Sequence, residues 1–428
     1  MPGPVSAPDR PVRENDASAG RGRATGSAFW SYWTASATSS VGDGIRVVAL
    51  PLLAITVLHA SNFEVSLITA ASYAAIVLIG LPAGVLVQRF ALRRLQVTMD
   101  VFRAAAVLTV PIAAWWDVLT LSHVLIVAFF IGLASNLFDV ANVTFVPSVV
   151  PKEELTARNG LLSGTFAATQ LGGPSIGGLL VQTVGAASSL VVDAFSYLVS
   201  AFFLSRIRAA GRPTTSAAAQ APFLQRIAQG LRFVTRHPAM RPSMLAASAV
   251  NFANGALLAV TAVFLIRTLG VPAGAVGFII AADGVGSLLG AAIAPWLARR
   301  LGTARALVAA TGVGALFGLL MPLTRSSAMV FLFVIGMAGL AAGVTVLSVI
   351  TRTHRQTASP PELLARVMAS VRFISWSAIP VGALVAGGLA QAFGPRAGLW
   401  AVAAAGCLAP VTLWFSRVRG VRELTEAG

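Results

Sequence analysis

Two stretches that share a pattern, each placed between long apolar runs, constrain the fold of this chain most. The first covers 84–94 and the second covers 290–300, and both begin with a glycine and end with a pair of arginines. A further matched pair, 154–158 and 362–366, has nearly the same offset and the form Glu-Leu-x-Ala-Arg. One long period with loops in matching places indicates a chain built from two related halves.

The apolar runs between these loops are long enough to cross a membrane. Of the 428 residues, 56% are hydrophobic and only 11% are charged, whereas a soluble domain carries about 25% charged residues. The exterior must therefore face lipid. The runs lie at 29–58, 64–88, 96–116, 121–148, 159–183, 186–205, 243–267, 272–298, 304–323, 327–350, 364–393 and 397–416. Each has the ~20 residues that a spanning helix needs.

These runs predict an all-α membrane protein with about twelve transmembrane helices in two pseudo-symmetric six-helix bundles. Related halves in a multi-pass membrane protein are typical of secondary transporters. We therefore expect the substrate site to lie between the bundles, near the middle of the membrane.

The segments outside the apolar runs set the predicted domain boundaries. Residues 1–28 are rich in Pro, Gly, Ala and Arg, which predicts a disordered cytoplasmic tail and not a cleaved signal peptide. The bundles cover 29–205 and 243–417, and a second cytoplasmic tail covers 418–428. In the linker, 206–242, apolar residues recur at helical spacing: Phe223, Ile227, Leu231 and Val234. This spacing predicts an amphipathic helix on the cytoplasmic membrane face, acting as a tether or as a binding element.

Basic residues are confined almost entirely to alternate loops. The net charge is +16, and nearly all of the basic residues are arginines. One set of loops holds most of them, whereas the opposite set holds only Arg267, Arg325 and Arg396. Short arginine-rich loops stay in the cytoplasm. The asymmetry predicts a multi-pass protein of the bacterial inner (plasma) membrane with both termini cytoplasmic, and it explains the basic charge without a nucleic-acid partner.

Four stretches carry the motifs of a known family: 40–53 in the first span, the loop 84–94, the glycine-proline segment 173–178, and the approach to the seventh span at 233–238. They resemble the major facilitator superfamily, and within it the bacterial exporters that include siderophore and macrolide efflux proteins. The resemblance extends over 29–420. It implies two bundles that rock about a central site, and it favours export.

The chain departs from the family pattern in the signature loop. Gln88 stands where an aspartate is usual, and Ala91 and Leu92 replace a glycine and an arginine. The charge relay that the family builds on that aspartate therefore lacks its acid here. In the fifth span, Thr169 stands where the motif usually has a further glycine.

The resemblance assigns gating roles to both copies of the loop and to the fifth span. Glycines there let a neighbouring helix approach closely, and Pro174 removes a hydrogen bond from the helix. The same glycines also fit ordinary helix packing, and the arginines also fit a simple topology anchor. The predicted gating residues are Gly84, Arg89, Arg93, Arg94, Gly173, Pro174, Gly177, Gly178, Arg299 and Arg300.

Ionisable residues inside the spans are the sharpest functional signal, because an aspartate at mid-membrane costs roughly 2.5–3.5 kcal/mol. Asp43 and Arg46 lie one turn apart in the first span, and they fit either a proton-coupling switch or a permanent pair that steadies the helix. Asp139 is a second candidate for proton coupling. Asp100 and Arg103 fit a structural ion pair. Four residues are predicted to line the substrate site: Asn136, Asn142, Asp193 and Asp283.

Motifs of enzymes do not occur in the sequence. The four histidines lack metal-ligand spacing, and there is no nucleophile elbow and no Walker loop. We therefore expect no catalytic residue, no metal and no cofactor. The sequence favours a proton-coupled exporter of a small amphipathic compound, such as an antibiotic, a siderophore or another metabolite, acting as a monomer in the lipid bilayer. A proton-coupled uptake symporter and a non-transporting receptor or scaffold are the alternatives.

Cysteine labelling tests the predicted orientation. With the native Cys407 replaced by serine, Ser326→Cys should react with a membrane-impermeant maleimide added outside intact cells, because its loop is poor in arginine. Ala91→Cys should react only after the cells are permeabilised. The reverse pattern would contradict the orientation derived from the arginines.

Overall fold

The computed structural model describes residues 14–80, 82–150, 154–207 and 223–427. Nearly all of them are helical, and this part of the chain contains no strand. The α-helices in chain order are α1 (Glu14–Thr56), α2 (Asn62–Ile79), α3 (Ala83–Gln88), α4 (Leu92–Trp115), α5 (Leu121–Val149), α6 (Leu155–Val184), α7 (Ala186–Arg206), α8 (Phe223–Arg236), α9 (Met240–Val263), α10 (Ala273–Leu301), α11 (Thr303–Gly318), α12 (Leu320–Leu323), α13 (Val330–Ala358), α14 (Pro361–Phe393) and α15 (Pro395–Trp414). A π-helical turn, Phe264–Thr268, extends α9.

The helices form two halves with the same internal arrangement. In the first half, α1 packs against α6 and α7, and α4 packs against α5 and α7. In the second half, α9 packs against α14 and α15, and α11 packs against α13 and α15. The pairing of α2 with α5 likewise corresponds to that of α10 with α13. The predicted all-α fold of two pseudo-symmetric bundles is confirmed.

Eleven helical segments in the described ranges are long and apolar enough to cross a membrane. The remaining predicted span, the fifth, corresponds to α6. This helix has 30 residues, which suffices in length, but it contains many Thr, Ser, Gln and Gly residues. Because α6 packs between α1 and α10, its polar residues need not contact lipid.

The first helix is longer than the sequence predicts. It begins at Glu14, so 14–28 is helical and not the expected disordered tail, while residues 1–13 lie outside the described part. No proline interrupts the chain between Pro11 and Pro51. Adding turns to an existing helix is much easier than nucleating a new one, so the first span extends backwards through this segment.

Glycine turns of the same geometry join the last two spans of each half. Gly185 has a φ of 87° and Gly394 has a φ of 88°, with ψ near 160° in both. Only glycine adopts this region without strain. The two turns occupy equivalent places in the two halves, and Gly302 has the same geometry between α10 and α11.

The linker helix α8 occupies the place where the sequence predicts an amphipathic helix, but it packs on protein. Its apolar face contacts α14. Val234 is fully buried there, in a cluster with Met240, Met244, Val367 and Val371. The contact with α14 replaces the expected position flat on the membrane surface. Residues 208–222 of the predicted linker lie outside the described part.

The C-terminal segment folds back onto the start of α11. The Thr303 hydroxyl donates to Glu423 Oε2 at 2.7 Å and accepts from the backbone N–H of Leu424 at 2.9 Å. The Ala304 N–H donates to the carbonyl of Arg422 at 3.0 Å. As far as residue 427, the predicted tail 418–428 is therefore held against the second half.

The two halves meet closely at one end of the bundle. We call this the arginine-poor end, because its loops hold only Arg267, Arg325 and Arg396. Here α6 meets α10, and a Cβ added to Gly178 would lie 2.7 Å from the carbonyl oxygen of Gly274. A second contact between the halves joins α2 to α14.

At the opposite, arginine-rich end the halves are apart. The first half of α6 is exposed on most of its faces. A Cβ added to Gly160 or Gly164 would meet nothing within 4 Å. From mid-membrane onwards one face of the same helix is buried, at Gly173, Pro174, Gly177 and Gly178. The space between the halves therefore opens towards the arginine-rich end and is closed at the other.

Candidate transport site

A group of three carboxylates and two guanidinium groups lies inside the first half, well within the membrane spans. We call it the charged cluster. Its members are Asp43 and Arg46 on α1, Asp100 and Arg103 on α4, and Asp193 on α7. The three helices that carry them pack against one another through α7, so residues from distant parts of the chain meet at one place.

Arg46 contacts two of the carboxylates. Its Nη2 donates to Asp43 Oδ1 at 2.5 Å, and its Nε lies 3.3 Å from Asp193 Oδ2. The hydroxyl of Tyr197 donates to the same Asp43 oxygen at 2.5 Å. Neither oxygen of Asp193 accepts a hydrogen bond from any described residue. Among the described residues, Arg46 is thus the one ion-pair partner of Asp193.

The second guanidinium group of the cluster, that of Arg103, pairs with Asp100. Arg103 donates to Asp100 Oδ1, and the hydroxyl of Ser200 donates to Asp100 Oδ2 at 2.6 Å. The Arg103 guanidinium also lies over the ring of Tyr197, 4.3 Å from its centroid, an attractive arrangement for a cation. Both residues of this pair are buried. They form the structural ion pair that their spacing predicts.

Accessibility divides the cluster into an outer and an inner part. The Asp43 side chain is 38% exposed and that of Arg46 is 13% exposed, whereas Asp193 and Asp100 have no exposed surface. Asp43 is therefore the member through which solvent or a ligand reaches the cluster. Asp193, predicted to line the substrate site, is enclosed by protein in this conformation.

A glycine on α1 makes this arrangement possible. A Cβ on Gly42 would lie 2.6 Å from Asp193 Oδ1 and would also overlap the side chain of Ser196. Only glycine lets α7 approach α1 this closely. On the other face, a Cβ on Gly44 would lie 2.7 Å from the Cα of Gly173. The two glycines flanking Asp43 therefore serve close helix contacts.

The predicted polar face of α5 is only partly available to a ligand. Asp139 is exposed, and its electrostatic neighbours include Arg372 on α14 of the other half. Asn142, by contrast, accepts a hydrogen bond from the Tyr32 hydroxyl. Asn136 is buried, and its Nδ2 has no hydrogen-bond partner within the described part. The structure thus places Asp139 towards the other half, while the two asparagines serve the interior of their own half.

Asp283 on α10 is the embedded acid of the second half. It is half-buried and forms no ion pair with any residue that the structure describes. Tyr73 on α2 lies within electrostatic range of Asp283, Asp43 and Asp139. Tyr73 is therefore within electrostatic range of acids from both halves.

The predicted gating glycines of α6 all lie in close helix contacts. Gly173 packs on Gly44, and Gly177 packs on Ile45, both within the first half. Gly178 packs on α10, and the carbonyl of Pro174 fills the position that a Cβ on Gly277 would need. Residues 173–178 thus join α1 to α6 and α6 to the second half.

The predicted gating arginines do not connect the halves in this conformation. Arg93 donates to the carbonyls of Ser205 and Ile207, each at 2.8 Å, at the end of α7. It therefore stabilises its own half, where a cation near a helix C-terminus is favourable. The other four, Arg89, Arg94, Arg299 and Arg300, are exposed. Gly84 lies in α3, and its surroundings, like the Gln88 side chain, are outside the described part.

Sequence reasoning missed the residues that connect the halves at the arginine-poor end. Arg267 donates to Asn62 Oδ1 at 2.6 Å and to the carbonyl of Ala60. Asn62 Nδ2 in turn donates to the carbonyl of Ala390 at 3.0 Å. The sequence did contain a signal for Arg267. The loops at this end hold very few arginines, so an arginine there indicates a specific contact. Tyr197 was missed as well, although it follows Asp193 by one helical turn.

Comparison with protein families identifies the family of this chain. The family described as transmembrane secretion effector matches residues 24–427. The chain belongs to the major facilitator superfamily. As a member of its transmembrane secretion effector family, it is a multi-pass membrane transporter of small molecules and not an enzyme. This confirms the family that the sequence motifs resemble.

A curated relative and several solved structures agree with this membership. The multidrug efflux pump Tap of Mycolicibacterium fortuitum is 26% identical over 377 residues, which cover 85% of this chain and 89% of Tap. The solved structure of the nucleoside transporter NupG superposes with a TM-score of 0.71 at 11% identity, covering 90% of this chain and 98% of NupG.

A bacterial homologue of the iron transporter ferroportin has been solved in two states. Its inward-facing structure gives a TM-score of 0.68 at 17% identity, over 91% of this chain and 98% of that one. Its outward-facing structure gives 0.59 at 18% identity, over 90% and 98%. At these identities the superpositions show a shared fold.

Removing the shared guanidinium should destabilise the transporter. Arg46→Gln leaves Asp43 and Asp193 without a cation, and we expect the free energy of unfolding to fall by about 2–3 kcal/mol, less than for a fully enclosed pair because Asp43 is partly exposed. Adding Asp193→Asn to Arg46→Gln should restore part of the loss. Chemical unfolding in detergent measures both effects, with Arg305→Gln, an exposed arginine, as the control. An Arg46→Gln variant as stable as this control would contradict the proposed importance of the cluster.

Proposed function

We propose that this transporter exports a small amphipathic compound, such as an antibiotic, a siderophore or another metabolite, across the bacterial inner membrane in exchange for protons. The relative named as a multidrug efflux pump, which aligns along most of both chains, supports export. The buried charges support the use of protons. The arginine-rich loops support an orientation with that end in the cytoplasm, and we propose that the protein acts as a monomer.

The observation that carries proton coupling is the charge balance of the charged cluster. Three carboxylates face two guanidinium groups. A net charge inside a membrane protein is costly, and one bound proton makes the cluster neutral. Asp100 has hydrogen bonds to both of its oxygens and Asp43 is bonded by Arg46 and Tyr197, so Asp193 is the member left to hold the proton in this conformation.

In this proposal, a proton moves between Asp193 and Asp43 when Arg46 changes its carboxylate partner. When Arg46 moves towards Asp193, it stabilises the ionised form of Asp193 and releases Asp43. Asp43 then takes the proton and, being the exposed member, exchanges it with the space between the halves. Asp193 therefore acts in coupling with Asp43 and Arg46, and not in substrate binding. Asp139 remains the alternative coupling acid, because it faces that same space.

The location of Asp283 supports a role for this residue in substrate binding. It is accessible, it lies near mid-membrane, and it has no cationic partner among the described side chains. Together with Tyr73 it offers one charge and one aromatic ring in a mainly apolar space, which is the usual composition of a small-molecule site.

In this proposal, the structure represents the state that is open to the cytoplasm. The halves are in contact at the arginine-poor end, through Arg267 with Asn62 and Ala60 and through α6 with α10. The higher TM-score with the inward-facing form of the ferroportin homologue agrees with this assignment. Export then requires these contacts to break while the arginine-rich end closes, by rocking of the two halves.

Neutralising the coupling acids tests the proposed function. Asp43→Asn and Asp193→Asn should fold and bind substrate but lose efflux driven by a pH gradient, keeping only exchange down a substrate gradient. The assay uses inverted membrane vesicles, an imposed pH gradient, and a panel of amphipathic antibiotics and dyes. The control is Asp117→Asn, an exposed acid with a φ of 55°, a conformation that asparagine tolerates.

Three results would count against this proposal. Full pH-driven efflux in both variants would remove the charged cluster from coupling and leave Asp139 as the candidate. Accumulation of compounds in the opposite direction would indicate an uptake symporter. No flux of any compound in either direction would favour a receptor or scaffold.

Weakening the contact at the arginine-poor end should open it. Arg267→Gln removes charge-assisted hydrogen bonds between the halves, and we expect the outward-open population to rise roughly tenfold, since a change of about 1.4 kcal/mol corresponds to a factor of ten. Distance distributions between spin labels at Asp117 and Ser326 measure the change. Arg396→Gln is the matched control, because Arg396 donates to the carbonyl of Thr324 within the second half. Equal shifts in both variants would argue for loss of charge and not for loss of a contact between the halves.

A further inference from the structure

A cavity at the arginine-rich end has no part in the transport mechanism described above. It has a volume of about 630 Å³ and lies between α8 and the start of α14. Its lining includes Gln229, Arg232, Phe233, Arg236, His237 and Leu363. Because α8 directly precedes the span that starts at Met240, the cavity lies at the level of the membrane surface.

Close packing of α8 on α14 forms this cavity. A Cβ on Gly230 would lie 2.6 Å from the carbonyl oxygen of Arg366 and 2.7 Å from the hydroxyl of Ser370. Arg366 donates to the side-chain oxygen of Gln229. These contacts hold α8 in one position, so the cavity has defined walls.

The polar side of the cavity consists of hydrogen-bond donors. Arg232 and Arg236 lie one turn apart, are exposed, and form no ion pair with any acid that the structure describes. His237 Nδ1 accepts from the N–H groups of Ala239 and Met240 at 3.2 and 3.3 Å. Its Nε2 is therefore the nitrogen that donates. Burial lowers the pKa of His237, which keeps the ring neutral and this assignment intact.

Behind this surface lie buried donors that no described residue satisfies. The ring of His354 contacts that of His237, with centroids 5.6 Å apart. His354 is 7% exposed and its Nε2 has no hydrogen-bond partner among the described residues. The same holds for the Nε of Arg355 and the hydroxyl of Ser370. These three groups lie behind the cavity wall and are not part of its lining.

From this arrangement we infer that the cavity binds the phosphate headgroup of an anionic phospholipid. The two arginines suit a phosphodiester, which Arg recognises through paired N–H donors. Phe233 and Leu363 provide an apolar wall for the start of an acyl chain. Because the cavity lies at the membrane surface, we infer a lipid ligand and not a soluble anion. Anionic lipids are attracted to basic segments beside a membrane span. The inference does not depend on the direction of transport or on proton coupling.

Native mass spectrometry of the full chain in detergent tests this inference. Titration with phosphatidylglycerol should show one tight site that phosphatidylcholine does not fill. Arg232→Gln with Arg236→Gln should weaken phosphatidylglycerol binding roughly 30-fold, on the basis of about 1 kcal/mol for each arginine near an anionic surface. The matched control is Arg206→Gln with Arg305→Gln, two exposed arginines of the same end that do not line the cavity.

Each other outcome overturns the inference. Equal losses in the two double variants would mean diffuse attraction between a basic surface and anionic lipid. Equal binding of the two lipids would mean that headgroup charge is not recognised. Competition by inorganic phosphate as effective as that by phosphatidylglycerol would identify a site for a free anion. Because all four arginines are exposed, we expect both double variants to fold, and thermal unfolding of each variant checks this.

Discussion

The charged cluster depends on one guanidinium group, that of Arg46, which two carboxylates must share. Arg103 is bound by Asp100 and is not available to them. A region of low dielectric penalises both an unpaired carboxylate and a net charge. The cluster is therefore neutral with one proton bound and charged without it. A permanent pair of Asp43 and Arg46 alone would have no such dependence. In the proposed mechanism, the third carboxylate, on a different helix, lets Arg46 change its partner.

Glycines determine how motion between the halves reaches this cluster. On α1, one side of the helix contacts α7 at Gly42 and the other contacts α6 at Gly44. On α6, Gly178 contacts α10 of the second half. Backbones in direct contact leave no flexible side chains between them to absorb a displacement. In the proposed mechanism, a shift of α10 against α6 is passed to α1 next to Asp43, and the relative position of the halves then determines which carboxylate Arg46 pairs with.

The fold and the local pairs could be predicted from the sequence, whereas the contacts between helices could not. Twelve apolar runs and a matched loop pattern define two bundles, and helical periodicity places Asp43 beside Arg46 and Asp100 beside Arg103. The burial of Asp193 could not be predicted, because the sequence shows an acid at mid-membrane but not which face of α7 turns inward. Nothing in a single sequence pairs Arg267 with Asn62, since that contact depends on how the two halves meet.

In the proposed mechanism, Arg93 of the signature loop does not supply the contacts that close the arginine-rich end. Arg93 is bound to the end of α7 in its own half, so it is not free to reach the other. The exposed part of α6 offers a suitable surface, because Gly160 and Gly164 share one helical face and have open space beside them. Gly178 makes the corresponding contact at the opposite end. Pro174, between these two places, interrupts the helical hydrogen bonds and lets α6 bend. The helix can therefore meet the second half at one end while leaving it at the other, as alternating access requires.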